Sequence, residues 1–216
     1  MVRGRRPEHD RDKILEIGAE LFTRNGYHAT GLKEILEACQ VPKGSFYNFF
    51  ESKEHFAVEI LEHYRTIEFD QWEERMAALK GSHYDKIFQM IQQEIERFGS
   101  KQYATGCLLS NLAGEVSQSS PLFSEAIAHS TEIVLKAITD DVVACQLEGT
   151  MRNDLSAESI AEMLLNHWHG ALIRCKVLNS TTPLNNHLDL IASFHLPPGQ
   201  SGTADIKNDE DNHETA

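Results

Sequence analysis

Residues 30–53 read TGLKEILEACQVPKGSFYNFFESK, and this stretch decides how the rest of the chain is read. Leu32, Ile35, Leu36 and Cys39 recur at i, i+3, i+4 and i+7, one apolar stripe of a short helix beginning near Thr30, whose hydroxyl can cap it. Pro42 has no amide hydrogen and biases Val41 away from helical angles, so Gln40-Val41-Pro42 is a turn. A second helix follows from around Lys43 to about Phe50. Its Phe46, Phe49 and Phe50 are spaced to anchor one side, which leaves Ser45, Tyr47 and Asn48 looking outward. Two short helices, a tight turn and an outward polar side make a helix-turn-helix.

These residues resemble the TetR family of transcriptional repressors. The likeness runs through Phe22-x-x-x-Gly26-Tyr27-x-x-Thr30, then Val41-Pro42-Lys43-Gly44-Ser45-Phe46-Tyr47-x-Phe49-Phe50, then Ser52-Lys53-Glu54, about a quarter of the chain. Gln40 departs from the pattern, because many members have glycine there. The resemblance implies an all-α protein with a three-helix DNA-binding head over 1–53, a helical effector-binding and dimerisation body over 54–196, and a tail over 197–216. It also implies that the short second helix enters the major groove, in two copies related by a dimer axis. On that reading Thr30, Lys43, Gly44, Ser45, Tyr47, Asn48 and Lys53 touch DNA. Tyr47 and Lys53 are expected on phosphates, with Ser45 and Asn48 nearer base edges.

Composition bounds the possibilities. With 216 residues, 41% of them hydrophobic, and only 6 prolines, the chain can bury a substantial helical core. Its net charge of −13 looks wrong for a nucleic-acid partner. Residues 1–53, however, hold nine Lys/Arg against eight Asp/Glu, so the acidity belongs to the remainder. A near-neutral head can present a local basic face, with Arg3, Arg5, Arg6, Lys33, Lys43 and Lys53 as its candidates. Arg3, Arg5 and Arg6 read equally as an arm along phosphates or a minor groove and as a solvated terminus. The tail PPGQSGTADIKNDEDNHETA has five acids against Lys207 and is expected to be disordered. No secretory signal or membrane-spanning run is present, and the four cysteines lack CxxC spacing. A cytoplasmic protein with free thiols is expected.

The flanking segments supply scaffold. Ile14, Gly18, Leu21 and Phe22 mark the inner side of a first helix from about Asp10 to Asn25. Ser52 can cap a long connector to about Lys80, carrying Phe56, Ile60, Tyr64, Trp72, Met76 and Leu79. His55, Glu59 and His63 lie at i, i+4 and i+8 on it, a spacing that could hold a metal but is better explained as a solvated polar face, so no metal site is assigned. Ser82-x-x-Asp85 is a capping box for a helix to about Phe98, with Ile87, Ile91 and Ile95 in its stripe. Further helices are expected over 122–147, with Ile127, Val134, Ile138 and Val142 inward, and from Asp154 or Ser156 to about Leu178. The latter carries Trp168 on its apolar side and a Gly170-Ala171 pair that permits close helix approach. The resemblance makes this last helix and 183–195 the dimer interface.

Residues 105–117, TGCLLSNLAGEVS, are the second informative stretch. Cys107 opens a helix, and a thiol in a first turn feels unpaired amide hydrogens and the positive end of the dipole, both of which favour thiolate. It is the best reactive thiol of the four; the alternative is a small buried hydrophobe. Gly106-Cys107-Leu108, with Asn111-Leu112 and Glu115-Val116, resembles the TetR subgroup that responds to electrophiles, unsaturated carboxylates and oxidants. Cys175, flanked by Arg174 and Lys176, is the second choice, whereas acidic neighbours disfavour a thiolate at Cys145. Lys176 is either a helper of a thiolate in the body or a surface lysine. Cys107, Lys176 and Trp168 form the effector-sensing set.

The expected function is therefore a homodimeric repressor on a palindromic operator, released when a small effector acts near Cys107. A sensor of a non-covalent ligand comes next. A helical enzyme or carrier is the reading from another class, and the sequence contains no GxSxG, GxxxxGK, GxGxxG or HExxH. No catalytic residue or cofactor is assigned.

Overall fold

The structure, a computed structural model, describes residues 10–100 and 106–195. The basic arm at Arg3, Arg5 and Arg6 and the tail 197–216 lie outside the described residues. Those described form helices α1 (Arg11–Asn25), α2 (Leu32–Cys39), α3 (Lys43–Phe49), α4 (Lys53–Ala78), α5 (His83–Ser100), α6 (Leu108–Val116), α7 (Pro121–Leu147), α8 (Ala157–Leu178) and α9 (Thr182–Phe194). Among them the sole extended pairing is an isolated antiparallel bridge, Met151 to His195. The fold is all-α, as the sequence implies.

Polar side chains start most of these helices. Asp10 caps α1 through the Asp12 amide, Ser52 caps α4 through that of His55, and Ser156 caps α8 through that of Ser159. The capping box at α5 is complete, because the Asp85 carboxylate accepts from the Ser82 amide and the Asp85 amide donates to the Ser82 hydroxyl. Thr30 differs from expectation. It does not cap α2, whose N-cap is Gly31; its hydroxyl donates instead to the Gly26 carbonyl at 2.7 Å, closing the α1–α2 turn.

The head is built on four phenylalanines. Phe22 of α1, Phe46 of α3, Phe50 just after it and Phe56 of α4 are fully buried. The Phe46, Phe50 and Phe56 ring centres lie 4.7–5.1 Å apart, and Phe22 meets Phe56 at 6.0 Å. Close α1–α4 packing depends on Gly18, where a Cβ would stand 2.4 Å from the Phe56 ring. The same apolar cluster continues into the body through Leu108, Leu112 and Val116 of α6 and Phe123 of α7, so head and α6 share one core. Around α5, α7, α8 and α9 lie two further clusters, centred on Val142, Ile160 and Ile191 and on Phe98, Leu172 and Leu184.

The turn of the helix-turn-helix carries a local strain. Gln40 ends α2 in the left-handed region, φ 54 and ψ 39, and its amide bonds back to the Glu37 carbonyl. An L side chain costs about 1 kcal/mol there, a cost glycine avoids. Gln40→Gly is therefore expected to stabilise the protein by somewhat under ~1 kcal/mol, since glycine also loosens the unfolded chain. Thermal unfolding should show a midpoint raised by roughly 2 °C.

Candidate functional site

The outward side of α3 is the first candidate surface. Lys43, Gly44, Tyr47 and Asn48 are exposed and Ser45 is half-buried, while Phe46 on the opposite side is sealed. Tyr47 is 44% exposed, unusual for so large a ring, and Lys43 leans over it at 5.9 Å. No Cβ neighbour lies within 4 Å of Gly44, so the start of α3 is open to a close approach.

Two residues expected on this surface are placed elsewhere. Thr30 is fully buried, with its hydroxyl spent on Gly26, and has no route to DNA. Lys53 donates to the Tyr27 carbonyl at 2.6 Å, and its ammonium sits 3.9 Å from the Tyr27 ring centre. Burial lowers its pKa, opposed by the charge of Glu115. Its first task is thus to hold the α1–α2 turn. Both residues are engaged at the α1–α2 turn, a role that a one-dimensional motif does not display.

The second site is a cavity of about 470 Å³ inside the body. Its wall is mainly apolar, drawn from α4, α5, α7 and α8, and it includes Cys107 and Trp168. Val134 and Ile138 of α7 and Ile87 and Ile91 of α5, all expected to face inward, do so by lining this space. Ala19 and Thr23 of α1 reach the same wall, so the cavity extends to the underside of the head.

Cys107 is the N-cap of α6 rather than its first helical residue. Its surroundings close it off from bulk water, and the surface it keeps faces the cavity. Burial pushes the thiol pKa up, and the amide and hydroxyl bonds from Leu109 and Ser110 only partly offset this. That corrects the expectation of a dipole-stabilised thiolate, because desolvation outweighs the helix end. Cys175 is corrected too: it is fully buried, and its thiol pKa is raised by burial despite Arg174. Cys145, buried beside Asp141 and Glu148, is pushed up to about 12, as its acidic setting implied.

Lys176 turns away from Cys175 and toward α6. Its ammonium donates to the Asn111 Oδ1 at 3.0 Å, and a Cβ on Gly106 would stand 2.8 Å from it. Burial lowers its pKa, while the negative form of Cys107 would raise it. A cation, an amide and a thiol therefore meet at the start of α6.

The far end of the same helix meets the head. Glu115 accepts from the Tyr27 amide at 2.8 Å and the His28 amide at 2.6 Å, clamping the turn that Lys53 holds from the other side. Sequence reading placed Glu115 in a motif without a role, because residues 88 positions apart in the chain cannot be paired by periodicity. His187 was also missed. Fully enclosed on α9, it meets His167 Nδ1 to Nδ1 at 3.1 Å and Trp168 edge-on, and burial lowers its pKa to about 4. Of His55, Glu59 and His63, the first bonds the Ser52 hydroxyl and the second pairs with Arg11, while His63 Nε2 is buried without a hydrogen-bond partner among the described residues.

A short helix with a sealed aromatic back and a polar front, joined to a helical body with an internal cavity, defines a helix-turn-helix regulator. The chain belongs to the TetR family: residues 14–60 match the family of bacterial regulatory proteins of that name, and residues 84–191 match the tetracyclin repressor-like C-terminal domain. It is 28% identical over 204 residues to the HTH-type transcriptional repressor DhaR of Mycobacterium sp. strain GP1, covering 92% of this chain and 96% of that one. With the repressor NemR of Escherichia coli K12 it shares 30% identity over 197 residues, 88% and 96% of the two chains. The reduced form of E. coli NemR superposes with a TM-score of 0.77 at 27% identity, covering 88% of this chain and 98% of that one. The protein is a TetR-type transcriptional repressor, not an enzyme, and these relatives support its place near the electrophile-responsive subgroup. No helix among the described residues is long and apolar enough to cross a membrane.

Two outcomes follow. Alkylation of Cys107 by iodoacetamide, followed by mass mapping, should accelerate as pH rises and keep rising beyond the usual thiol range near 8.5, because the thiolate forms only above the raised pKa. Glu115→Ala leaves two backbone amides without their acceptor and should lower stability by about 1–3 kcal/mol in denaturant titration.

Proposed function

We propose that this repressor is released from a palindromic operator when an electrophile or oxidant modifies Cys107 in the cavity. The observation that carries the reading is the span of α6, with Cys107 on the cavity wall at its start and Glu115 on the head's turn at its end. Reaction of the Cys107 sulfur with an activated alkene forms a C–S bond and delivers the thiol proton to carbon. The added bulk at the α6 N-cap acts through one rigid, nine-residue helix on the turn that sets the angle of the head. Lys176 and Asn111 are placed to stabilise the transient thiolate, and Trp168 shapes the space for the effector. The reduced form solved for NemR supports a redox-responsive lineage.

On the DNA side, Lys43, Gly44, Ser45, Tyr47 and Asn48 are the proposed groove contacts, with Tyr47 on phosphate and Ser45 and Asn48 at base edges. Two heads are needed for one palindrome. The dimer face is proposed on the outer side of α8, where Met163, Ile173 and Val177 are exposed apolar residues and Gly170 has open space at its Cβ position. Ala171 of the small-residue pair is buried within its own chain, and the outward residues of α9, Asn185, Asn186 and Asp189, are polar. Head over 1–53, body over 54–196 and a cytoplasmic location complete the proposal.

The test uses duplexes selected from a random pool by the reduced protein, with binding followed by anisotropy and N-ethylmaleimide as the effector probe. Wild-type protein should lose its duplex on alkylation, whereas Cys107→Ser should bind with affinity within about twofold of wild type and stay bound after treatment. Unaltered release in that variant would defeat the thiol mechanism and favour the non-covalent reading, which the size of the cavity also supports.

A further inference from the structure

We infer that His187, backed by His167, is a hydrogen-bond-accepting subsite in the cavity wall, so that the cavity takes uncharged apolar molecules bearing a hydroxyl group. This deepens the reading of the cavity as the effector site and rests on it. His187 of α9 is 3% exposed and lines the cavity against the edge of Trp168, whereas His167 of α8 is exposed and stands off the wall. The two Nδ1 atoms are 3.1 Å apart and the ring centres 5.2 Å apart, with the planes 23° from parallel. The centre separation is little more than the N–N distance plus the two ring radii, so the rings meet edge to edge with these nitrogens pointing at each other. The nitrogens of an imidazole lie on nearly opposite sides of the ring, which turns the Nε2 of His187 away from His167 and into the body. That Nε2 makes no hydrogen bond among the described residues, yet it is not sealed in as the Nε2 of His63 is; the surface His187 retains opens on the cavity.

The pair also fixes which atoms carry protons. Two N–H groups cannot face each other at 3.1 Å and two lone pairs would repel, so one Nδ1 donates to the other. Burial, and after it the charge of His167, lowers the pKa of His187 to about 4, so at neutral pH its ring is uncharged and holds a single proton. On Nε2, that proton would be a donor left without an acceptor in an enclosed space. On Nδ1 it is bonded to His167, and the exposed His167 gives its own Nε2–H to water. Buried orphan donors are costly and rarer than orphan acceptors, so the second arrangement wins. His187 therefore presents an Nε2 lone pair to the cavity.

A neutral lone pair in such a setting selects its partner. A hydroxyl donates to it without bringing charge into the cavity, whereas a carboxylate has no proton to offer and an ammonium would lose its hydration. Leu164, Leu172, Ile191 and Trp168 supply the apolar walls on this side. His169 lines the same side, and burial lowers its pKa as well, so it adds no charge there at neutral pH. A cavity of about 470 Å³ fits a small aromatic hydroxyl compound. The hydroxyl is held by α8 and α9, whereas Cys107 stands at the start of α6, so this anchor is chemically independent of the thiol.

The experiment uses full-length Cys107→Ser protein, so that binding is read without thiol chemistry. Proton–nitrogen correlation spectra of protein with isotope-labelled histidine, at neutral pH, give the tautomers. His187 should be protonated at Nδ1, its signals being those lost in His187→Phe. Calorimetry then compares 4-ethylphenol with 4-ethylanisole, which keeps the oxygen and lacks the donor. The phenol should bind at least about fivefold tighter than the anisole. Adding His187→Phe should bring the phenol down to the affinity of the anisole and leave the anisole unchanged. Adding His167→Phe removes the acceptor behind His187, and should move the His187 proton to Nε2 and cut the preference for the phenol. An Nε2-protonated His187 in the parent, equal binding of the two probes, an undiminished preference after His187→Phe, or no binding of either probe would overturn the subsite. Should His187→Phe fail to fold by circular dichroism, the phenol-to-anisole ratio in the parent and the response to His167→Phe, a change at an exposed position, decide. Operator release by N-ethylmaleimide is measured separately on wild-type protein, so the subsite and the thiol mechanism fail independently.

Discussion

The packing of Phe22, Phe46, Phe50 and Phe56 is the constraint on which the DNA-reading end depends. A seven-residue helix such as α3 is far below the roughly 12–15 residues at which an isolated helix becomes even marginally stable in water. It contains a glycine, a serine and an asparagine, so its own propensity does not rescue it. What keeps it helical is burial of Phe46 and Phe50 against Phe56 and Phe22, each ring contributing about 1.5–3 kcal/mol when removed from water. Because the rings come from three elements, the helix is fixed in orientation as well as conformation. The polar side that faces the groove is therefore a consequence of what the other side buries.

The same cluster explains why the head cannot move alone. Leu108, Leu112 and Val116 of α6 are part of the apolar core that contains the four phenylalanines. Glu115 adds a directional link, with two backbone amides of the α1–α2 turn on its carboxylate. Interfaces packed this tightly shift between discrete arrangements rather than deform gradually. Cys107 stands at the opposite end of this nine-residue helix from the Glu115 clamp.

The body solves a different problem. Its helices enclose an apolar space but leave charged groups on the wall, and the fold neutralises most of them through pairs such as Arg97 with Glu94 and Arg75 with Glu94. Burial shifts three of the body's titratable groups toward their neutral forms: the Cys107 thiol up, the Lys176 ammonium and His187 imidazole down.

Much of this was legible in the sequence. Periodicity at Leu32, Ile35 and Leu36, the break at Pro42 and the phenylalanine spacing specify the helix-turn-helix, because each depends on residues within two turns of one another. Helix starts at Ser52, Ser82 and Ser156 were legible for the same reason, and Cys107 stood out by its place before a helix. Only the tertiary structure decided the rest. It buried Thr30 against Gly26 and tied Lys53 to the Tyr27 carbonyl, since such contacts depend on what packs from elsewhere. It set the thiol pKa of Cys107 above rather than below its usual value, because desolvation depends on the enclosing helices and the dipole on the local chain alone. It also brought Glu115 to Tyr27 and Lys176 to Asn111, pairings between distant segments that no local pattern encodes.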